Sequence, residues 1–269
     1  NRPDRSTRRR LGKSDPLDAE MAARTVLAGV AKDSPKSGVD KVEMIRMLKI
    51  VKDSAMKART QAINQMKALI VTAPVELREE LAGVNARRLV DRCRRFRPGR
   101  LATPAAAAKH ALRLLARRHS QLTSEIEGVD KELVRLTAEI APALVHTFGV
   151  GADTAATLLV TAGSNPERLR SEPAFAALCG VNPIPASSGK TDRHRLNRGG
   201  DRQANAALYR VVLVRLRYDE RTKEYMRRRT REGMTKPEII RCLKRYVARQ
   251  VYAILREMGR KNLALPAAA

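Results

Sequence analysis

The sequence predicts a mainly α-helical protein built around one long helical arm. Apolar residues recur at helical spacing through residues 105–140, and no sustained alternation of apolar and polar residues occurs within 41–269. The 269 residues are enough for two modest domains with a real core. We divide the chain into an N-terminal segment 1–40, a coiled-coil arm with a basic insertion over 41–140, and a C-terminal all-α domain over 141–269.

The arm is predicted from a heptad seam. Its positions are spaced alternately by three and four residues and are Leu112, Leu115, His119, Leu122, Ile126, Val129, Leu133, Leu136 and Ile140. Only His119 is polar, which is typical of a coiled coil. A second helical stripe runs through residues 41–71 and stops before Pro74. The seam should pair with 41–71, in the same chain or in a second subunit, and Leu122 and Val129 should be buried there.

The remaining elements are shorter. Residues 15–31 form a short helix with Pro16 in its first turn. Residues 32–40 are a linker, and 75–104 are short helical pieces that carry seven arginines. Residues 187–202 form a basic loop containing glycine, and 203–220 and 236–259 are two amphipathic helices.

Charge is the most informative bulk property. Lys and Arg number 54 against 28 Asp and Glu, a net charge of +26. Such a chain repels itself unless it meets a polyanion, and nucleic acid is the commonest one. No apolar run is long enough to span a bilayer, so a membrane partner is not expected. Ribosomal proteins have a similar excess of basic over acidic residues, so charge alone does not indicate an enzyme.

The cysteine spacing and the low aromatic content make a zinc site and extensive base stacking unexpected. Cys93, Cys179 and Cys242 lack the spacing of a zinc site, which favours reduced thiols in a cytoplasmic protein. Tryptophan is absent and aromatics make up 3% of the chain. Contacts from Arg and Lys to phosphate should therefore outweigh base stacking.

Asp15 and Asp18 are candidate metal ligands. Three residues apart at the start of a helix, they lie on one face and could share Mg²⁺, the usual ion of phosphoryl transfer. The alternative is that Asp15 caps the helix and Asp18 complements its dipole.

A glycine turn predicts a backbone contact with nucleic acid. In the segment from Phe148 to Thr154, Gly149 and Gly151 would let the chain approach a strand closely, with exposed amides available to phosphate. This is the pattern of a helix-hairpin-helix. The alternative is a simple turn between packed helices.

A serine pair in a cationic loop is the candidate nucleophile. Ser187 and Ser188 precede Gly189, and the loop continues with Lys190, Arg193, His194, Arg195, Arg198 and Arg202. Nearby cations would stabilise a serine alkoxide and a pentacoordinate phosphorane. The alternative is a solvated basic loop that only touches the backbone.

Taken together, these stretches resemble the insertion-sequence 110 transposases, also called bridge-RNA-guided recombinases. The resemblance covers essentially the whole chain. It rests on Lys13 to Ala19, Gly149 to Gly151 with Thr154 and Ala155, Phe175 to Pro183, Ser187 to Lys190, Arg198 to Asp201 and the helix with Leu208 and Tyr209. It implies the remnant of an RuvC-like (RNase H-like) domain, a coiled-coil arm, and a C-terminal domain with a nucleophilic serine.

The resemblance also assigns roles. Asp15 and Asp18 match the last pair of an Asp-Glu-Asp-Asp set that binds Mg²⁺. Ser188 matches the nucleophile, with Ser187 as the second choice. A guide RNA and a composite site between subunits are implied, hence a homo-oligomer, dimer or tetramer. The strands bearing the first two acids would precede Asn1, so we expect an N-terminally truncated transposase that binds nucleic acid without recombining it. A non-catalytic nucleic-acid-binding remnant and a coiled-coil scaffold are the alternatives.

Overall fold

The computed structural model describes residues 14–29, 40–163, 169–187 and 194–264, the last five of these by their backbone alone. Two compact units result, residues 1–37 and residues 38–269. The described residues contain eleven helices and one two-stranded ladder, which confirms the mainly α-helical prediction.

The first unit contributes one described helix, α1 (Asp15–Leu27). Its N-cap is Ser14, whose Oγ accepts a hydrogen bond from the Leu17 amide at 3.4 Å. The helix ends four residues earlier than the predicted 15–31, in a turn where Gly29 has a φ of +66°. Such a φ is left-handed backbone that glycine adopts without strain.

Two long helices form the arm, α2 (Lys41–Val71) and α5 (Pro104–Ile140), as predicted. Ile45 of α2 shares a core with Leu133 and Leu136, whereas Met66 shares one with Leu112. The helices are therefore antiparallel, and the seam pairs within the chain. Leu122 and Val129 are only half-buried, a correction to the prediction that both would be buried, because one long partner helix covers only part of the seam.

The tip of the arm holds two short helices, α3 (Val75–Leu81) and α4 (Ala86–Arg94). Leu89, Val90 and Cys93 of α4 are buried against α2 and α5. The opposite face of α4 and the segment that follows it are exposed and carry the predicted arginine cluster of Arg87, Arg88, Arg92, Arg94, Arg95, Arg97 and Arg100. Apolar burial on one face thus presents the charge on the other.

The C-terminal part packs six helices on the base of the arm. They are α6 (Pro142–Val145), α7 (Ala152–Ala162), α8 (Glu172–Leu178), α9 (Arg202–Tyr218), α10 (Glu220–Arg231) and α11 (Lys236–Ala264). Phe175, Leu158, Leu208 and Val211 are fully buried at its centre. β1 (Ile184–Pro185) and β2 (His194–Arg195) form the antiparallel ladder. Among the described residues no helix is long and apolar enough to cross a membrane.

One helix was missed. The prediction placed a helix over 203–220 and left 221–235 unassigned, but α9 ends at Tyr218 and α10 follows at once. Asp219 divides them, because its carboxylate accepts a hydrogen bond from the Thr222 amide at 3.1 Å and so caps α10.

All three cysteines are free thiols, as predicted. Cys93 and Cys179 are buried, and burial raises the pKa of Cys93 to about 11 and that of Cys179 to about 12. Both therefore stay protonated and unreactive at neutral pH.

Candidate functional site

The serine segment is held at both ends by the small ladder. Ile184 pairs with Arg195, and Pro185 pairs with His194. Ser187 is exposed, two residues past β1. Ser188, Lys190 and Arg193 lie outside the described residues. The structure thus fixes the two ends of the cationic loop side by side.

Two glycines bring the flanking loops into backbone contact. A Cβ on Gly200 would lie 2.2 Å from the Gly180 nitrogen and 2.3 Å from its Cα, distances that no side chain tolerates. Gly180 itself has a φ of +65°. The Asp201 amide donates to the Leu178 carbonyl at 2.7 Å. We call this junction of residues 177–182 with 197–201 the glycine clasp.

Asn197 crosses the glycine clasp with its side-chain amide. Its Nδ2 donates to the Asn182 Oδ1 at 2.7 Å and to the Ala177 carbonyl at 3.2 Å. Its Oδ1 accepts from the Gly199 amide at 2.8 Å. One half-buried side chain therefore sets the conformation of the chain on both sides of the ladder.

The side chain of Asn205 also binds the backbone of the glycine clasp. Its Nδ2 donates to the Gly180 carbonyl at 2.9 Å and to the Cys179 carbonyl at 3.1 Å. Its Oδ1 accepts from Lys244 Nζ at 2.8 Å. Lys244 is only 9% exposed, and burial lowers its pKa. Sequence inspection gave no sign of Asn197, Asn205 or Lys244, because amides and a lysine in these helices and loops fit no motif.

Asp201 joins two helices to the glycine clasp. Its Oδ1 accepts from the Gln203 amide at 2.8 Å and caps α9, and its Oδ2 accepts from Thr161 Oγ1 at 2.8 Å. Both carboxylate oxygens are thus engaged in holding α7 and α9 together, so this acid acts as a structural group.

The predicted basic residues border the glycine clasp. Arg195, Arg198 and Arg202 are exposed. Arg198 and Arg202 line a cleft of about 420 Å³ together with Asn197, Gly200 and Tyr209. The two guanidinium groups at this cleft are thus accessible to an anion.

The two hairpin glycines have different roles. Gly149 has a φ of +85°, and a Cβ there would meet the Val211 carbonyl oxygen of α9 at 3.3 Å. Packing against α9 therefore explains this glycine. Gly151 is exposed, has no heavy atom within 4 Å of where a Cβ would lie, and begins α7 without a side-chain cap. Gly151 is therefore the exposed glycine of the pair, and its contact with a phosphate stays a prediction.

Asp153, in the first turn of α7, pairs with basic side chains of α2 and α9. Its carboxylate contacts Lys49 Nζ and Lys52 Nζ, each at 2.7 Å, and Arg210 at 3.4 Å. Burial alone would raise the pKa of Asp153, but the hydrogen bonds from both lysines outweigh it and hold the pKa at about 2. Lys52 also contacts Asp130 at 2.5 Å. This cluster ties α2 and α5 to α7.

Asp15 and Asp18 lie in the first turn of α1. Because Ser14 is the N-cap, the alternative that Asp15 caps the helix is wrong. Two carboxylates supply oxygen ligands of the kind Mg²⁺ prefers, but only part of an octahedral shell. Within the described ranges no three acidic, histidine or cysteine side chains converge on a common point. The fit to the ion is therefore partial.

The segment of the chain that contains Gly149, Gly151 and the glycine clasp is similar to known proteins. Residues 141–227 match the family model described as "Transposase IS116/IS110/IS902 family". This segment is similar to insertion-sequence transposases. A further relative, the "Insertion element IS110 uncharacterized 43.6 kDa protein" of Streptomyces coelicolor, is 29% identical over 147 residues, which cover 51% of this chain and 36% of the relative. The match therefore spans about a third of that protein's length.

Proposed function

We propose that this chain is part of an insertion-sequence transposase that cuts and rejoins DNA through a serine between β1 and β2. The glycine clasp carries the proposal, because it fixes both ends of the serine loop within the transposase-like segment, beside Arg198 and Arg202. A nucleophile must be held close to the bond it attacks, and the backbone contact of Gly180 with Gly200 fixes the flanks of the loop that would carry it.

The chemistry assigned to the loop is two successive transesterifications. The Oγ of Ser188, or of Ser187 as the second choice, attacks a DNA phosphorus, loses its proton, and releases one deoxyribose oxygen as a hydroxyl. A hydroxyl of the second strand then attacks the serine phosphodiester and restores the serine. Lys190, Arg193, Arg195 and Arg198 would stabilise the charge on the phosphorane. Each step exchanges one P–O bond for another, so no external energy source is required.

Asp15 and Asp18 would hold Mg²⁺ as part of a larger acidic set, and such an ion supplies electrostatic stabilisation in phosphoryl transfer. The remaining ligands would come from other residues or from a second subunit. A guide RNA that selects the DNA, and a dimer or tetramer that completes the site, belong to the same proposal.

The test uses a protein that contains this chain and has the full length of the Streptomyces coelicolor relative. Ser188→Ala should abolish the covalent protein–DNA adduct and leave DNA affinity within about twofold, and Ser187→Ala should retain the adduct. The reverse pattern would assign the nucleophile to Ser187. Asp18→Asn should abolish magnesium-dependent joining without unfolding, and full activity across a magnesium titration would refute the ligand role.

A second candidate is nucleic-acid binding without turnover. The exposed arginine cluster of α4 favours it, since such a surface binds phosphate whether or not strands are cut. Affinity of the 269-residue chain for duplex DNA should fall by about 0.9 log units per phosphate contact per log unit of salt. Steep salt dependence, together with no adduct from the full-length protein under any magnesium condition, would favour this function. Weak salt dependence would contradict both functions and favour a scaffold.

A further inference from the structure

A second cleft shares no lining residue with the cleft beside the glycine clasp. It has a volume of about 1070 Å³ and is bordered by α9, α10 and α11, with Phe148 of the hairpin on its rim. Ligand sites occupy roughly 300–1,000 Å³, so this space is wide enough for a small organic group together with its neighbours along a chain.

The cleft concentrates the chain's scarce aromatic residues. Phe148, Tyr225 and Tyr246 line it, three of the eight phenylalanines and tyrosines in the sequence. Phe148 is 54% exposed and Tyr246 is 49% exposed. An apolar ring left half in water at the edge of a cleft gains free energy when another flat group covers it.

The tyrosines are already oriented. The rings of Tyr225 and Tyr246 meet edge to face with centroids 5.7 Å apart. Arg228 lies over Tyr225 at 5.4 Å, and Arg249 lies over Tyr246 at 5.8 Å. Within the described residues Phe148 has no comparable ring or cation partner, so the exposed half of its side chain is available to a ligand.

The charge of the lining is positive. Four arginines face two acids, Asp219 and Glu224. The Asp219 carboxylate is occupied by Thr222 at the start of α10. Arg215 is used within the fold, since it donates to the Phe148 carbonyl at 3.0 Å and to Gln250 at 2.9 Å. Arg221, Arg228 and Arg231 line the cleft and are exposed. Arg228 also contacts Glu232 at 3.9 Å, but an exposed ion pair is weak, so all three guanidinium groups can meet an anion.

We infer that this cleft binds an unpaired stretch of nucleic acid, with a base stacked on Phe148 and phosphates at Arg221, Arg228 and Arg231. Flat aromatic faces and guanidinium groups along one wall match alternating bases and phosphates. In a duplex the base faces are covered by neighbouring base pairs, so the ligand must be unpaired. The inference rests on the proposed function for the class of ligand, nucleic acid, and adds a second site and the unpaired state of the strand.

The experiment measures binding of the 269-residue chain to three fluorescent 12-mers at one salt concentration: dT12, rU12 and a wholly abasic strand. Phe148→Ala should weaken dT12 or rU12 binding about tenfold and leave abasic binding within twofold, because only the stacked base is lost. Arg228→Gln with Arg231→Gln should weaken all three strands. A tighter rU12 assigns the site to RNA, and a tighter dT12 assigns it to single-stranded DNA.

Matched controls lie outside the cleft. Tyr218 is 63% exposed and stacks on Arg217, and Arg227 lies on α10 paired with Glu220 at 2.7 Å. Tyr218→Ala should leave every affinity unchanged, and Arg227→Gln should weaken binding no more than twofold. The inference is overturned if Phe148→Ala has no effect, if it weakens abasic binding equally, or if Tyr218→Ala matches it. That result would leave the cleft to a protein partner. Because no adduct is measured, failure here is distinct from failure of the strand-transfer proposal.

Discussion

In the arm, α2 and α5 meet along apolar side chains such as Ile45, Leu112 and Leu133, whereas in the glycine clasp the backbone of Gly180 meets Gly200 with no side chain between. The arm can absorb a changed side chain by local repacking, at a cost that depends on burial. A side chain added at Gly200 in the clasp cannot be accommodated by repacking, because the atoms nearest to it would be backbone atoms. Four sets of substitutions test this contrast between graded and all-or-none stabilisation.

The largest effect should come from Gly200→Ala. Its Cβ would lie 2.2 Å from the Gly180 nitrogen, so the two loops must separate. We expect a loss of about 4 kcal/mol or more in the free energy of unfolding, measured by urea denaturation. The control is Gly151→Ala, where nothing lies within 4 Å and the loss should be about 1 kcal/mol or less. Equal losses at both positions would mean that the clasp is not rigid.

Within the arm, the cost should follow burial. Leu133 is 1% exposed, so Leu133→Ala should cost about 3 kcal/mol. Leu122 is half-buried, so Leu122→Ala should cost about 1–2 kcal/mol. Both are measured by urea denaturation. A larger loss at Leu122 would indicate that a second subunit covers that side of α5.

Acid should loosen the contact between the arm and α7. Because the pKa of Asp153 is about 2 in the folded protein and 3.8 ordinarily, the unfolded chain binds more protons between these values. Asp153 therefore contributes its stability above pH 4 and loses it as pH falls toward 2. With a third of its side chain exposed, we expect a contribution of about 1 kcal/mol. Denaturation curves from pH 2 to 5 should show a smaller loss of stability toward acid in Asp153→Asn than in the wild type, because other carboxylates with lowered pKa values still titrate there.

The smallest effect should be a gain. Gly128 lies inside α5, is exposed, and has no heavy atom within 4 Å of where a Cβ would lie. Gly128→Ala should stabilise the protein by about 0.5–1 kcal/mol, because alanine loses less backbone entropy in a helix. Thermal unfolding measures it. A loss of stability would show that this face of the arm is occupied by another subunit.

The helices of the arm follow from local spacing. Residues 41–71 and 105–140 were predicted to within a residue, because their apolar positions repeat every three or four residues and Pro74 and Pro104 mark their bounds. Helix α10 was missed because its sequence is mostly charged, with Tyr225 and Met226 as its few large apolar residues. Its start depends on the Asp219 cap, a single contact that periodicity does not reveal.

The residues of the candidate site were likewise predictable from the sequence only in part. Sequence spacing indicated the serine loop, its cations and the hairpin glycines. The catalytic roles of Ser188, with Ser187 as the second choice, and of Asp15 and Asp18 stay predictions. The contacts that organise the loop come from Asn197, Asn205 and Lys244, which no motif contains. Their partners lie 15 to 39 residues away along the chain.

By itself the sequence determined the helical class, the net charge of +26 and the length of the arm, since composition and periodicity are properties of neighbouring residues. Only the tertiary structure decided that the seam pairs within the chain, and that Gly149 serves packing against Val211. It also decided that Phe148 shares a cleft with Tyr225 and Tyr246, residues more than 70 positions away. Contacts between distant segments depend on how whole helices pack, and no local pattern encodes that arrangement.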